Sequence, residues 1–469
     1  MRLKEVPFTW IQRWGMRLDT APYMGDAVEA RFVLESLKSK TQPLRELTAG
    51  GIAGIVHAGR IKRQWVEDPR YGTPFLSSTD ILRADLTQCS LISNRAVRSN
   101  PLLIIHKGWT LITRAGTVGR MAYSRPDMDG MACTEDVLRV IPDKARILPG
   151  YLFAFLSSRF GVPLVTSGTY GAIIQHIEPE HISDTPIPRL GDELESESHR
   201  LIEEAASARC LASTRLEQAQ RLLLRALKLD VFLEELRQSE EDVGQVVLAS
   251  EIAETMRLEG YYYNPRARRI AERIRARPEH RPLGNIADVY DVPPFKHIYV
   301  ESGNGVPFFT SGELFNLDRR ASKFLSRTRT KNLHLYILER GWVLLARSGQ
   351  LGGILGKPQY ADSALNGAAT SDHVIRIVPK EKAIPAGYIY AYLSSREIGY
   401  PLLTRTMTGH SIPALWPSQL ASVPFLPLSD GEMKKIHSLV EEAFELRVTA
   451  TACEDDARAL IERALSEGV

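Results

Sequence analysis

Two hexapeptides come nearest to a phosphate-cradling loop: Arg114-Ala115-Gly116-Thr117-Val118-Gly119 and Arg347-Ser348-Gly349-Gln350-Leu351-Gly352. A dinucleotide fingerprint needs Gly-x-Gly-x-x-Gly opening a helix, so that backbone N–H groups and the helix N-terminus face the pyrophosphate. Both segments lack its first glycine and run on into strand-like residues, which makes each a turn between strands. Each arginine can grip a phosphate or brace its turn against a carboxylate or carbonyl. The phosphate role is expected, because the adjacent glycines permit close backbone approach.

No other catalytic pattern is present. The chain has no Gly-x-x-x-x-Gly-Lys-Ser/Thr, no His-Glu-x-x-His and no Gly-x-Ser-x-Gly, and neither Asn-Pro-Pro-Tyr nor Asp-Pro-Pro-Tyr of a base-flipping amino-methyltransferase. Eleven histidines are dispersed without ligand spacing, and Cys89, Cys133, Cys210 and Cys453 form no Cys-x-x-Cys, so reduced, buried thiols and no metal are expected. A stand-alone enzyme with a duplicated active site would keep one catalytic side chain in both copies. What the copies keep is glycine, aromatic residues and Arg114/Arg347, so no catalysis is expected.

Two further segments look like readers. Gly168-Thr169-Tyr170-Gly171-Ala172-Ile173-Ile174-Gln175-His176 and Thr406-Met407-Thr408-Gly409-His410-Ser411-Ile412 hold equivalent places and share mainly a glycine and an isoleucine. A loop that keeps its frame and changes its tips suits hydrogen bonding to base edges, with Thr169, Tyr170, Gln175 and His176 in one copy and Ser348, Thr408, His410 and Ser411 in the other. Positive charge concentrates at Gly59-Arg60-Ile61-Lys62-Arg63, over 266–277 and over 319–331, although the net charge is only +3. Lys62 and Arg63 join the expected contacts, while any one cluster taken alone is equally well a solvated surface.

These residues are positioned by a structure written twice. Lys107-Gly108-Trp109-Thr110-Leu111-Ile112-Thr113-Arg114 returns as Arg340-Gly341-Trp342-Val343-Leu344-Leu345-Ala346-Arg347, an offset of 233 residues from Gly108 to Gly341. Gly150-Tyr151-Leu152-Phe153-Ala154-Phe155-Leu156-Ser157-Ser158-Arg159 returns as Gly387-Tyr388-Ile389-Tyr390-Ala391-Tyr392-Leu393-Ser394-Ser395-Arg396, and Met16-Arg17-Leu18-Asp19 with Tyr23 as Met256-Arg257-Leu258-Glu259 with Tyr263. A period this long is a whole domain, large enough to bury its own core. Within each copy, 109–113 and 342–346, 137–141 and 374–378 read as strands. Residues 26–37 and 265–276, 151–158 and 388–395 read as short helices.

After each copy the texture changes. Residues 193–236 and 430–465 contain no proline and almost no glycine, which predicts two long helices. Ile436, Leu439, Ala443, Leu446, Ala450, Cys453, Ala457, Leu460 and Ala464 keep a 3-4 spacing, and Leu201, Ala205, Ala208, Ala212, Leu216, Ala219, Leu223 and Ala226 nearly do. Alanine seams permit close approach, so an antiparallel coiled coil with leucines over alanines is expected, the alternative being that each helix packs on its own domain. The division is therefore 1–192 and 241–429 as two α/β domains, with 193–240 and 430–469 as the helices. Hydrophobic content of 44% is ordinary for a globular chain, and with no apolar h-region near Met1 and no apolar run of spanning length a cytoplasmic location is expected.

The Arg-Leu-Asp/Glu…Tyr opening, the Gly-Trp…Arg-x-Gly-x-x-Gly core, the Tyr-x-x-x-x-Leu-Ser-Ser helix, the glycine-isoleucine loop and the long helix after each copy together resemble the DNA specificity (S) subunit of a Type I restriction-modification system. The resemblance spans essentially the whole chain. It implies two target recognition domains reading the halves of a split sequence in double-stranded DNA, and an antiparallel helical spacer that docks methyltransferase (M) subunits. Leu216, Leu223, Leu439, Leu446 and Leu460 are the partner-binding positions it implies. S-adenosylmethionine would sit in the M subunit and no cofactor in this chain, and a restriction (R) motor-nuclease subunit could join. Roughly 40 helical residues at about 1.5 Å each span on the order of 60 Å, one to two turns of duplex. A target sensor in a non-standard phage-defence complex is the alternative. Ala21-Pro22-Tyr23 against Tyr261-Tyr262-Tyr263 departs from strict duplication.

Overall fold

The computed structural model describes residues 5–13, 23, 26–37, 40–86, 89–167, 176–238, 246–380, 384–409 and 411–467. It divides into two compact units, Met1–Cys210 with Thr449–Val469, and Leu211–Val448. Each is mixed α/β.

In the first unit the strands are β1 (Thr41–Pro43), β2 (Ile55–Val56), β3 (Trp65–Val66), β4 (Gly72–Leu76), β5 (Ser90–Ser93), β6 (Thr110–Thr113), β7 (Met121–Tyr123), β8 (Ala132–Cys133), β9 (Val137–Val140) and β10 (Pro186–Pro188). They form one four-stranded sheet in the order β2-β9-β6-β7, a second in the order β3-β5-β4-β8, and the pair β1-β10. The second unit repeats this strand for strand with β11 (Arg281–Pro282), β12 (Ala287–Tyr290), β13 (Tyr299–Val300), β14 (Gly305–Phe309), β15 (Lys323–Ser326), β16 (Val343–Ala346), β17 (Pro358–Tyr360), β18 (Ala369–Thr370), β19 (Val374–Pro379) and β20 (Pro424–Phe425), in the orders β12-β19-β16-β17, β13-β15-β14-β18 and β11-β20. Even the parallel pairing of β4 with β8 recurs between β14 and β18.

Strands β6 and β16 are buried along their whole length because both faces of their sheet are covered. Ile112, Leu138 and Val140 face a core shared with the helix Pro149–Leu156, whereas Leu111 and Val137 face the second sheet's side with Leu76, Ile81 and Met128. The second unit splits its residues the same way, Leu345, Ile375 and Ile377 towards the helix Ala386–Ser394 and Leu344 and Val374 towards Phe309 and Leu314. The period-2 alternation is thus present but masked, since it alternates between two apolar surroundings.

The long helices are α1 (Asp192–Leu227) and α2 (Asp430–Glu467). In the first unit Leu201, Ile202, Ala205 and Ala206 from the start of α1 share a core with Ala450, Cys453, Ala457, Ile461 and Ala464 from the end of α2. In the second unit Ala212, Leu216, Ala219 and Leu223 meet Met433, Ile436, Val440, Ala443 and Phe444. Early residues of one helix meeting late residues of the other is the antiparallel pairing, observed inside each unit. Leu223 is fully buried and Leu216 nearly so, while Leu439, Leu446 and Leu460 are partly buried at the margins of these cores. Val440, Phe444 and Ile461 widen the stripe beyond a two-position seam, because α2 packs on a domain as well as on α1. The first helix is shorter than the expected 193–236: Lys228 adopts a left-handed φ of 53° and a separate helix, Asp230–Gln238, follows.

Burial of charge fixes the register. Arg209 and Arg458 both bind Glu454, and all three side chains are almost fully buried. Buried charges persist only when paired, so a one-turn slip would strand them. Of the four cysteines, Cys133 and Cys453 are buried, whereas Cys89 and Cys210, also expected to be buried, are only partly so.

Candidate nucleic-acid interface

Each arginine turn follows a buried central strand. The turns are reversals between β6 and β7 and between β16 and β17, with Gly116, Gly119 and Gly352 at positive φ, and no helix N-terminus follows them. The Arg114 N–H donates to the Asp136 carbonyl, and the Arg347 N–H to the His373 carbonyl, each at 2.8 Å. Both turns therefore hang on the connection that leads into the next central strand.

The described residues that flank the two expected reader segments meet the same frame in both units. A bridge pairs Ala115 with His176, and another pairs Ser348 with Ala414. The Ile177 N–H donates to the Arg114 carbonyl at 3.2 Å and the Leu415 N–H to the Arg347 carbonyl at 2.8 Å. Thr169, Tyr170, Gln175 and His410 lie outside the described residues. His176 sits at the bridge. In the second unit the structure brings Arg347, Ser348 and Thr408 together: Thr408 and Ala414 exchange backbone hydrogen bonds at 2.9 and 2.8 Å, and Gly409 takes a φ of 87° beyond Thr408. Ser411 and Ile412 are exposed on this excursion, Ile412 at 70%.

The arginines themselves are held inward. Arg114 ion-pairs with Glu178 through Nη2 and donates from Nε to the Ile177 carbonyl at 3.1 Å, with 15% of its side chain exposed. Glu178 also meets His57 Nε2 at 3.5 Å, while His57 Nδ1 accepts from the Gly59 N–H. Burial, and then the Arg114 charge, hold His57 below the usual histidine range. Arg347 is held differently. Its guanidinium lies 4.7 Å from the centre of the Trp416 ring and 3.5 Å from Asp291, and the Trp416 indole N–H donates to Thr408 Oγ1 at 2.8 Å.

The two arrangements are complementary. Trp416 occupies the place of Glu178, each preceding a proline that opens a short helix, and Asp291 occupies the place of His57 before the second sheet. The carboxylate has changed sides while the arginine has kept one carboxylate neighbour. Bracing is thus the role that the geometry of Arg114 satisfies, and the expected phosphate role would require displacing Glu178. Sequence reading missed Glu178, Trp416, His57 and Asp291, because a partner that migrates between loops leaves no repeated letter.

Arg63 and Lys62 lead into β3, on the second sheet. Arg63 donates to Thr134 Oγ1 and to Glu135 at 3.2 Å, tying it to the 134–136 connection that also receives Arg114, whereas Lys62 is exposed. Among the described residues no group of acidic, histidine and cysteine side chains could hold a metal, and no helix is long and apolar enough to cross a membrane.

No family model and no curated protein match the chain. Among solved structures, the S subunit of a Type-I restriction-modification system from M. genitalium aligns with 92% of this chain and 96% of its own, at 13% identity and a TM-score of 0.29. The HsdS subunit from Thermoanaerobacter tengcongensis aligns over 92% and 96%, at 16% identity and 0.26. A chain from a type I R-M system, solved for complex assembly and conformational transition, aligns over 92% and 97%, at 16% identity and 0.27.

Proposed function

We propose that the chain is a sequence-specific DNA-binding subunit of a Type I-like restriction-modification complex, each unit reading one half of a split target. The observation that carries this is that His176 and Ile177 in the first unit, and Thr408, Ala414 and Leu415 in the second, meet one retained frame beside Arg114 and Arg347 although the sequences around them have diverged. A rigid frame with changed tips is what two readers of different base sequences need, and base edges are read by such hydrogen-bonding tips. The ordered motifs of the sequence support the same reading. Methyltransferase subunits that carry S-adenosylmethionine would dock on the outer faces of α1 and α2, with Leu439, Leu446 and Leu460 at the margin, and a motor-nuclease subunit could join them in the cytoplasm. This chain binds and positions; the chemistry belongs to its partners.

The test is selection from a randomised duplex pool by the full-length chain. Wild type should enrich a split motif with an unread spacer. Changing Gln175 and His176 to Ala should relax one half-motif only, and changing His410 and Ser411 the other, at about 1–3 kcal/mol per lost base contact. Equal loss in both halves from either variant would defeat the model of independent readers.

A further inference from the structure

The second sheet of each unit carries a repeat on exposed residues: Lys62-Arg63-Gln64-Trp65-Val66-Glu67 returns as Lys296-His297-Ile298-Tyr299-Val300-Glu301. Core residues of duplicated domains are retained for packing. These are not core residues. Trp65 is 52% exposed and Tyr299 46%, on edge strands β3 and β13, and both lysines are exposed.

Register brings more cations to the same edge. The Ser93 N–H donates to the Gln64 carbonyl at 2.8 Å and the Ser326 N–H to the Ile298 carbonyl at 2.9 Å. The chain leaving β5 beside Arg63 then carries Arg95 and Arg98, and the chain leaving β15 beside His297 carries Arg327, Arg329 and Lys331, all exposed. None of Lys62, Lys296, Arg95, Arg98, Arg327, Arg329 and Lys331 makes an ion pair among the described residues. The aromatics are propped from behind, Trp65 edge-on to Phe75 with ring centres 5.3 Å apart and Tyr299 against Phe308 at 6.1 Å. Glu67 and Glu301 close the far end of each strand, leaving the cations concentrated at the near end.

Features common to both units cannot discriminate between two different half-targets; they serve what the halves share. We propose that these edges grip the sugar-phosphate backbone of duplex DNA independently of sequence, the lysines and arginines meeting phosphates and the aromatic ring lying against a deoxyribose. The inference rests on the reading of the chain as a DNA-binding subunit and adds to it a contact that carries no base information.

The experiment measures binding of the full-length chain to a random-sequence duplex and to the duplex selected above, across a salt series. Lys62→Gln with Lys296→Gln should weaken both duplexes alike and make the log–log salt dependence shallower by about two units, one per lost phosphate contact. Trp65→Ser with Tyr299→Ser should weaken both roughly tenfold, whereas Trp65→Tyr, which copies the other unit, should bind as wild type. Thermal melts unchanged from wild type keep the lysine pair interpretable, since both are exposed. Wild-type binding with unaltered variants overturns the grip alone. Loss of a protein partner with an unchanged salt slope overturns it in favour of a subunit interface, and loss confined to one half-motif overturns it in favour of base reading. A wild-type chain that binds no duplex overturns the functional reading together with this one.

Discussion

Replacing Arg114 by Gln separates brace from phosphate contact. The side chain makes one ion pair with Glu178 and one hydrogen bond of 3.1 Å to the Ile177 carbonyl, in surroundings that leave it 15% exposed. Hydrogen bonds to charged groups contribute about 1.5–3 kcal/mol each, and a partner left half-buried without them adds desolvation cost. Gln keeps a donor but neither the charge nor the reach, so a loss of about 2–3 kcal/mol is expected. For a unit of this size each kcal/mol lowers the melting temperature by about 2–4 °C, giving a fall of roughly 4–12 °C by scanning calorimetry. Arg347→Gln should cost less, about 1 kcal/mol, because its partners are an aromatic face and one carboxylate at 3.5 Å. In a double-mutant cycle with Glu178→Gln, Arg114 should show coupling that Arg347 lacks. The reasoning is refuted if Arg114→Gln melts like wild type and instead flattens the salt dependence of DNA binding by about one unit.

Two further outcomes concern the docking of each domain on its own long helix. A methyl group on Gly387 would stand 2.5 Å from His437 Nδ1, and one on Gly150 2.7 Å from His199 Nδ1, so Gly387→Ala or Gly150→Ala should cost about 1–3 kcal/mol of stability, visible as an earlier denaturation midpoint with an unchanged slope. Those histidines accept the Gly150 and Gly387 N–H groups at 3.1 Å, which only the neutral ring can do, and burial holds both below the usual histidine range. A histidine depressed in the folded state contributes stability that is complete above the unfolded value near 6.5 and is lost as pH falls from there towards the folded value. Denaturation midpoints should therefore drop between about pH 7 and pH 5, and His199→Gln with His437→Gln should remove part of that drop; an identical pH profile would show that the rings do not titrate in this contact.

The duplication was legible because glycines, aromatics and buried strands are constrained by geometry that both copies share. Gly108 and Gly341 take φ values of 85° and 89°, conformations that only glycine adopts at no cost. The long helices were legible from texture, and the stop at Lys228 was not, since Lys228, Leu229 and Asp230 contain neither proline nor glycine. The second sheet was barely visible: its strands are two to five residues long, too short for periodicity. Its recurrent Gly-x-Pro-Phe, at Gly72 and Gly305, and Lys-x-x-Trp/Tyr-Val-Glu were nevertheless there to be read. A brace could be named as one role of the arginines, but its partners could not be read, because Glu178 and Asp291 answer to different positions in the repeat.

The first unit takes its final wall from 449–469, whereas the second is contiguous from 211 to 448. During synthesis the order of completion is therefore reversed relative to the chain. When residue 448 has left the ribosome, the second unit has every residue of its core, while the first still lacks Ala450, Cys453, Ala457, Ile461 and Ala464 and exposes the apolar stripe of Leu201, Ile202, Ala205 and Ala206. The earlier-made of the two units waits longer to close, so a nascent chain interrupted before residue 449 would carry an open first unit, the state that chaperones and proteases recognise.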